Sequence, residues 1–457
     1  MKSKHILHLY NRIGFGITPE NIEVLKGKSK TSIIDTLFET SKETTPLLVD
    51  TSFLDGLKKS DLKSKKKRKA LMKISRKKIK ELNVAWIERL ADPKELLREK
   101  MTLFWANHFV CKDNNIAYIQ HYNNILRKNS LGNFESFVKA ISKEAAMLKY
   151  LNNKQNLKAS PNENFARELM ELFTLGQGNY NEKDIKESAR AFTGYTHSFS
   201  GDFKMRRKHH DTGEKTFLNE TGNFNGDDII TIILKQRKCA EFICNKIYTY
   251  FVNNIINSKH IEEMVSVFYP DYNIEKLMRY VFMSEWFYDD VNIGTKIKSP
   301  IELLVGLQTI VPHSLLKDKQ LILLQKLLGQ TLLNPPNVAG WKGGKSWIDS
   351  NTIVTRLRLP SVLLNNAQIV YSEKGDFKDT NTNLKTKKLQ KKAFIKTNVR
   401  WSTFEYNYKS LTLDELIPAI IVSPINNGTK ELLKNYAHLS KKDFCVQLVS
   451  LPEYQLC

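Results

Sequence analysis

The sequence predicts a mainly α-helical protein: one large multi-helix body with a small β-hairpin insertion and an irregular Pro/Gly/Trp-rich loop. Three observations predict it. Apolar residues recur three and four positions apart over most of the 457 residues. Residues that start and stop helices bracket several of these runs. Period-two alternation is confined to one short stretch.

The elements follow in order. Met1 to Tyr10 holds no apolar core long enough for a secretory signal, which predicts a chain that is either cytoplasmic or already trimmed. No run of 18 apolar residues occurs, so a transmembrane helix is excluded. Leu97, Met101, Phe104, Trp105 and His108 form an apolar helical stripe. Ser160 is the expected N-cap of the next helix, with Pro161 in first position, Glu163 completing a capping box, and Gly176 stopping the run after Leu175. Asn181 with Asp184 repeats the capping logic for a helix through Phe192. Asp227 after Gly226 is expected to cap a third helix, and Cys239 to Val252 continue as a fourth. Tyr195, His197 and Phe199 alternate, and Phe203 and Met205 resume the alternation after Ser200-Gly201-Asp202, which is a hairpin signal. Asn334 to Asp349 is irregular and rich in Pro, Gly and Trp.

These elements place a main helical domain at 1–372. It contains a basic segment at 58–80, the hairpin and His-Asp loop at 195–217, and the Trp loop at 334–349. A linker or flexible insertion is expected at 373–399, and a C-terminal helical segment packing on the main domain at 400–457.

The net charge is +23. Lys58 to Lys80 hold 13 Lys or Arg against one acid, Asp61, and Lys385 to Lys396 hold six Lys and no acid. The rest of the chain is near balance. Lys far outnumbers Arg, and Arg is the usual carrier of bidentate phosphate and base contacts. The pattern therefore reads first as a solvated lysine-rich face and argues against nucleic acid as the partner; polyanion or membrane-surface attraction are the alternatives. The five cysteines, Cys111, Cys239, Cys244, Cys445 and Cys457, include no CxxC pair and read as buried free thiols in a reducing compartment.

Four constellations carry chemistry. His108 ends the apolar stripe of Phe104-Trp105-Ala106-Asn107-His108-Phe109, where a neutral imidazole serves as metal ligand or general base, or is a buried ring satisfied by backbone or a carboxylate. Asn164, Arg167, Glu168 and Glu171 share one helical stripe, opposite Phe165, Leu169, Leu172 and Phe173. Two carboxylates one turn apart bind a divalent metal, or split into acid and base if their environments differ, or simply face solvent. His209-His210-Asp211 precede a glycine turn, as ligands or as a loop held by Asp211 bonding its own backbone. Trp341 and Trp347 either stack on a flat ligand such as a sugar ring or pin their loop to the core. Gly343-Gly344-Lys345-Ser346 ends like a phosphate loop, but Ala339 fills the place of the required glycine. The G-x-S-x-G, H-E-x-x-H, G-x-G-x-x-G and kinase motifs are absent.

Five blocks in order carry a resemblance. They are His8 to Gly16 (HLYNRIGFG), Lys100 to Phe109, Asn164 to Gly176, His210-Asp211-x-Gly213-x-Lys215-Thr216-Phe217, and Pro335-Pro336-Asn337-Val338-Ala339-Gly340-Trp341. Together they resemble the large bacterial domain-of-unknown-function family 1800. The resemblance implies no transferable activity. It implies frequent export, hence a periplasmic or exported location as the alternative to a cytoplasmic one. It also implies a genomic neighbour similar to sulfatases and alkaline phosphatases as a partner. The chain departs by lacking a recognisable signal, and by having Ala106 where many relatives place a histidine, which weakens a metal site built on that helix.

The site residues therefore rest on chemistry. His108, Glu168, Glu171, His210 and Asp211 are the candidate catalytic groups. Of these, His108, Glu168, His210 and Asp211 make an N/O ligand set suited to a divalent transition metal such as zinc, manganese or iron. Arg167, Arg190 and Lys215 would hold an anionic group, with Trp341 and Trp347 also contacting substrate. Whether the protein is an enzyme stays open. The favoured function is a helical binding or assembly protein acting with an envelope- or surface-associated partner. The alternatives are a metal-assisted hydrolase of phosphate or sulfate esters, and a polyanion or nucleic-acid binder working through the lysine-rich segments.

Overall fold

The computed structural model describes residues 1–365 and 395–457. Among these, 21 helices dominate and three small two-stranded antiparallel sheets complete the fold. The expected linker at 373–399 and the basic run Lys385–Lys396 fall, up to residue 394, outside the described residues; Thr397–Val399 form a strand. No described helix is long and apolar enough to cross a membrane.

The chain divides into two compact units. The first comprises Met1–Ile33, Tyr288–Thr331 and Lys342–Cys457. Its core is aliphatic: Leu303 and Leu307 of the helix Pro300–Ile310 cluster with Leu324, Leu328, Leu359, Leu363, Phe404, Phe444 and Leu448. Strand His313–Leu315 pairs with Thr397–Val399, His313 opposite Val399. Two buried arginines tie distant segments together through carbonyls. Arg12 donates to Asn292 O at 2.7 Å, and Arg356 donates to Lys298 O at 2.6 Å and to Gln455 Oε1 at 3.0 Å.

The second unit comprises Ile34–Phe287 and Leu332–Trp341. Its centre is the helix Leu96–His108, in which every residue from Leu97 to Trp105 is buried. The apolar stripe expected from the sequence is there, and Arg98, Glu99 and Lys100 are buried with it. They are tolerated because each finds partners. Arg98 donates to Ser41 O (2.8 Å) and Arg127 O (2.9 Å). Glu99 accepts from Arg127 Nε at 2.5 Å and Nη2 at 3.1 Å, and from Trp86 Nε1 at 3.1 Å. Arg127 in turn donates to Asn123 and Asn124 from the helix Ile116–Asn129. Lys100 lies with its ammonium 5.8 Å over the Tyr250 ring.

The helix expected from Ser160 starts later. Ser160 folds back in a tight bridge with Leu157, and the helix begins at Asn164, behind an Asn162 side chain that accepts the Asn164 N–H. After Glu168 the helix widens into a π-helix over Leu169–Thr174. The wider turn shifts the phase by about one residue, so Met170 and Thr174 are buried while Leu172, expected in the core, is only half-buried. Gly176 ends the run at φ +77°, as expected. Asn181 and Asp184 make the expected capping box. The third helix is capped two residues earlier than expected, by Asn225 with Asp228. The hairpin Tyr195–His197 with Phe203–Met205 is present, Tyr195 opposite Met205. A second hairpin, Lys215–Phe217 with Glu220–Gly222, was not signalled, because its turn is made by Leu218 (φ 47°) and Asn219 (φ 67°) and not by glycine. The Asp184 carboxylate accepts the Leu218 N–H at 3.0 Å and helps hold that left-handed turn. All five cysteines are free and buried; burial pushes the Cys239 thiol up to about 12.

Glu99→Ala strands the Arg127 guanidinium in the interior and is expected to cost about 3–5 kcal/mol by chemical denaturation. Glu135→Ala, which breaks the part-exposed pair with Lys139, is expected to cost about 1 kcal/mol or less.

Candidate functional site

Nine of the ten sequence-derived site residues lie in the second unit; Trp347 belongs to the first. They fall into three groups, and each is built by a different local device.

The first group surrounds the His-Asp loop. Arg190, near the end of the helix Glu182–Ala191, forms a fork between Asp211 (Nε to Oδ2, 2.8 Å) and Glu187 (2.8 Å). The other Asp211 oxygen accepts the Gly213 N–H at 2.8 Å, as an Asx turn does. Lys215 is buried and donates to the carbonyls of Asp211 (2.7 Å) and Gly213 (2.9 Å). The Thr193 hydroxyl accepts the Asp211 N–H, and His210 Nδ1 donates to Thr193 O at 2.9 Å. Glu187 also accepts the Thr216 N–H at 3.1 Å. The bond to Arg190 holds the Asp211 carboxyl below its usual range, and burial lowers the affinity of Lys215 for its proton. Both Asp211 oxygens, the Arg190 fork and the Lys215 ammonium are thus already used inside the loop.

The second group joins the Trp loop to the central helix. Asn107 Oδ1 accepts the Trp341 N–H at 2.8 Å, and its Nδ2 donates to Trp341 O at 3.1 Å. The amide side chain therefore pairs with Trp341 as a neighbouring strand would. Gly340 sits at φ +76°, and a Cβ there would overlap Asn107 Oδ1. Trp341 is buried, at 9% exposure, and walls a small, mainly apolar cleft with Trp86, Ala106, Tyr122 and Pro335. Trp347 is buried in its own unit. Of the two expectations for these rings, anchoring the loop is the one their burial fits.

The third group is the π-helix. His108 is buried among Phe104, Trp105, Phe109, Phe134, Phe173 and Phe242. Its Nε2 meets Phe173 O at 3.0 Å. A carbonyl only accepts, so Nε2 carries the proton and Nδ1 holds the lone pair. That Nδ1 is buried without a hydrogen-bond partner among the described residues. Burial first, and the Lys246 charge second, push the imidazole down to about 3. Glu168 and Glu171 are half-buried on the other side of the same segment. Burial and the Glu171 charge raise the Glu168 carboxyl, while Arg167 opposes the rise. Tyr180 donates to Glu171 Oε2 at 3.2 Å, and its phenol is pushed up to about 12, by burial first and then by Glu171. Arg167 is engaged by Glu182 (3.0 Å) and Glu163 (3.5 Å).

The helix of Glu168 packs on the helix of Arg190, and that helix on the strand of Lys215, so the first and third groups are neighbours. The five candidate catalytic residues are not gathered on one point. Among the described residues, no group of three or more His, Cys, Asp or Glu is placed to hold a metal ion.

One titratable group escaped sequence analysis. Glu144 starts the short helix Ala145–Tyr150, and its side chain has His121 Nε2 at 3.7 Å. Burial pushes its carboxyl up to about 7. The available signal was a lone acid entering the apolar run Ala145-Ala146-Met147-Leu148.

Residues 8–456 match the family model described as a protein of unknown function, DUF1800. The match spans nearly the whole chain, and the chain belongs to that family. No curated protein and no solved structure matches it.

The two buried groups titrate in opposite senses. His108 binds its proton less readily folded than unfolded, so its contribution is present above pH about 6.5 and is lost as pH falls toward 3. Glu144 binds its proton more readily folded than unfolded, so its contribution is present below pH about 4.3 and is lost as pH rises through about 7. Glu144→Gln is therefore expected to stabilise the protein relative to wild type, increasingly from pH 5 to pH 8, by on the order of 2 kcal/mol at the upper end. Denaturation midpoints at the two pH values check this; a pH-independent difference would contradict it.

Proposed function

We propose that the protein is a helical binding or assembly protein whose motif residues build the scaffold that presents its surface to a partner. The observation that supports this most is the closed network at the His-Asp loop, where Arg190, Asp211, Glu187 and Lys215 satisfy one another and the backbone. A ligand set waiting for a metal has donor oxygens to spare. Here the Arg190 guanidinium and the Gly213 N–H take three of the roughly four acceptor positions of Asp211. Asn107, spent on the Trp341 backbone, supports the same reading. The proposed partner is the one the family resemblance implies, a protein similar to sulfatases and alkaline phosphatases.

A second reading, metal-assisted hydrolysis of phosphate or sulfate esters, is favoured by one observation. Glu168 and Glu171 are half-buried, burial and then the Glu171 charge raise the Glu168 carboxyl, and the pair straddles the start of a π-helix, an irregularity that recurs at functional sites.

Two measurements separate the readings. The first is metal content of wild type and a His210→Ala/Glu168→Ala variant by mass spectrometry, with p-nitrophenyl phosphate and sulfate assayed in parallel. The second is size-exclusion chromatography of the chain mixed with its purified sulfatase-like neighbour. The binding reading predicts a shared complex, metal well below one per chain in both proteins, and no ester turnover. Near-stoichiometric metal lost in the variant, together with turnover abolished by Glu168→Gln, would overturn it.

A further inference from the structure

The helix Lys65–Ala91 is 27 residues long, and only its second half is fully committed to the core through Leu82, Trp86, Ile87 and Leu90. Its first half is attached along one edge. Ser75 is buried, donates to Asn114 O at 2.6 Å and accepts the Ile116 N–H at 2.7 Å. Leu71 and Ile79, one turn to either side, are half-buried. The remaining surface is unusually charged. Lys65 to Lys80 contain ten Lys or Arg and no acid.

Helical geometry organises these charges. At 100° per residue, Lys66, Lys69, Lys73, Lys77 and Lys80 fall within an arc of roughly 80°, on the side opposite Ser75. All five are exposed. They make a straight cationic stripe of about 21 Å at 1.5 Å per residue. Acidic neighbours neutralise little of it. Lys67 pairs with Asp61 (3.4 Å), Lys78 with Glu81 (2.9 Å) and Asp50 (3.4 Å), and Lys77 weakly with Glu81 (3.6 Å). No ion pair engages Lys66, Lys69, Lys73 or Lys80 among the described residues.

Two further features narrow the partner. Met72 and Ile74 are exposed at 38% and 40%. They stand about 100° to either side of the stripe, as apolar shoulders. At that angle both point slightly away from a plane laid on the stripe, so the face the helix offers is purely cationic. The stripe also contains no aromatic residue to stack on a base. Lysines supply point charges without the bidentate geometry that reads phosphates or bases individually.

We propose that this half-helix is a docking surface for an anionic lipid bilayer, with the five lysines over the headgroups. Each lysine near an anionic surface contributes about 1 kcal/mol, and a cluster of four to eight is the usual requirement. The attraction falls with salt, because the Debye length shrinks from about 10 Å at 0.1 M toward 3 Å at 1 M.

The test is co-sedimentation of the full chain with vesicles of phosphatidylglycerol and phosphatidylcholine, against pure phosphatidylcholine, in 50 mM and 300 mM salt. Binding to the anionic vesicles only, at least about tenfold weaker in high salt, is expected. Lys66→Glu/Lys69→Glu/Lys73→Glu should lower it by at least tenfold. Met72→Ser/Ile74→Ser, which leaves the charge unchanged and lies off the stripe, should change it by no more than about twofold. All these positions are exposed, and circular dichroism verifies that each variant is folded. Equal binding to neutral vesicles, or unchanged binding of the triple variant, would overturn the proposal. So would a duplex DNA that binds more tightly than the anionic vesicles.

Discussion

A charged segment sits at the centre of the second unit, and the bond between Glu99 and Arg127 makes that arrangement tolerable. The central helix is buried all round from Leu97 to Trp105. A carboxylate there is stable only if its oxygens are filled, and Arg127 and Trp86 fill them. Satisfying Glu99 fixes the helix Ile116–Asn129 against the central one. Arg98 then bonds the carbonyl of Arg127 and the segment at Ser41. With its first half so fixed, the helix delivers Asn107 to the Trp loop and His108 to the π-helix at its far end.

From this frame the family's sequence blocks share a physical logic. Two of them contribute side chains that bond backbone groups far away in sequence, and a third contributes one that bonds the carbonyls of its own loop. Arg12 reaches Asn292 O, Asn107 brackets Trp341, His108 meets Phe173 O, and Lys215 ties the loop of Asp211 and Gly213. A helical protein with long irregular connections exposes many backbone groups that no helix satisfies, and these side chains satisfy them. Of the candidate catalytic residues, His108, His210 and Asp211 make bonds of this structural kind. The Glu168–Glu171 pair is the exception, since Arg167 is engaged elsewhere and the two carboxylates are left to influence each other.

Much of the fold was legible because it rests on local rules. The stripe Leu97 to His108, the Asn181–Asp184 capping box, the stop at Gly176 and the first hairpin each follow from a few adjacent residues. What escaped depends on tertiary context. Nothing local distinguishes Glu99 from a solvated glutamate until Arg127, 28 residues away, is brought beside it. The π-helix inserts a phase shift that strict 3.6 periodicity misses, so Leu172 was misplaced. The second hairpin hides behind Leu218, a residue that rarely turns left-handed and does so with Asp184 to hold it. The candidate site was legible as a list of residues, but their pairings were not, because an Asp beside an Arg in space looks the same in sequence as an Asp free to bind a metal.

The central claim is that the motif side chains are internal latches, and a double-mutant cycle between Arg190 and Asp211 tests it most directly. Arg190→Gln, Asp211→Asn and the double variant would be unfolded chemically, once with chelator and once with added zinc or manganese. The latch account predicts a coupling of about 1–3 kcal/mol between the two residues and wild-type midpoints unmoved by metal. Additive effects, together with a wild-type midpoint that metal raises only when Asp211 is present, would contradict it.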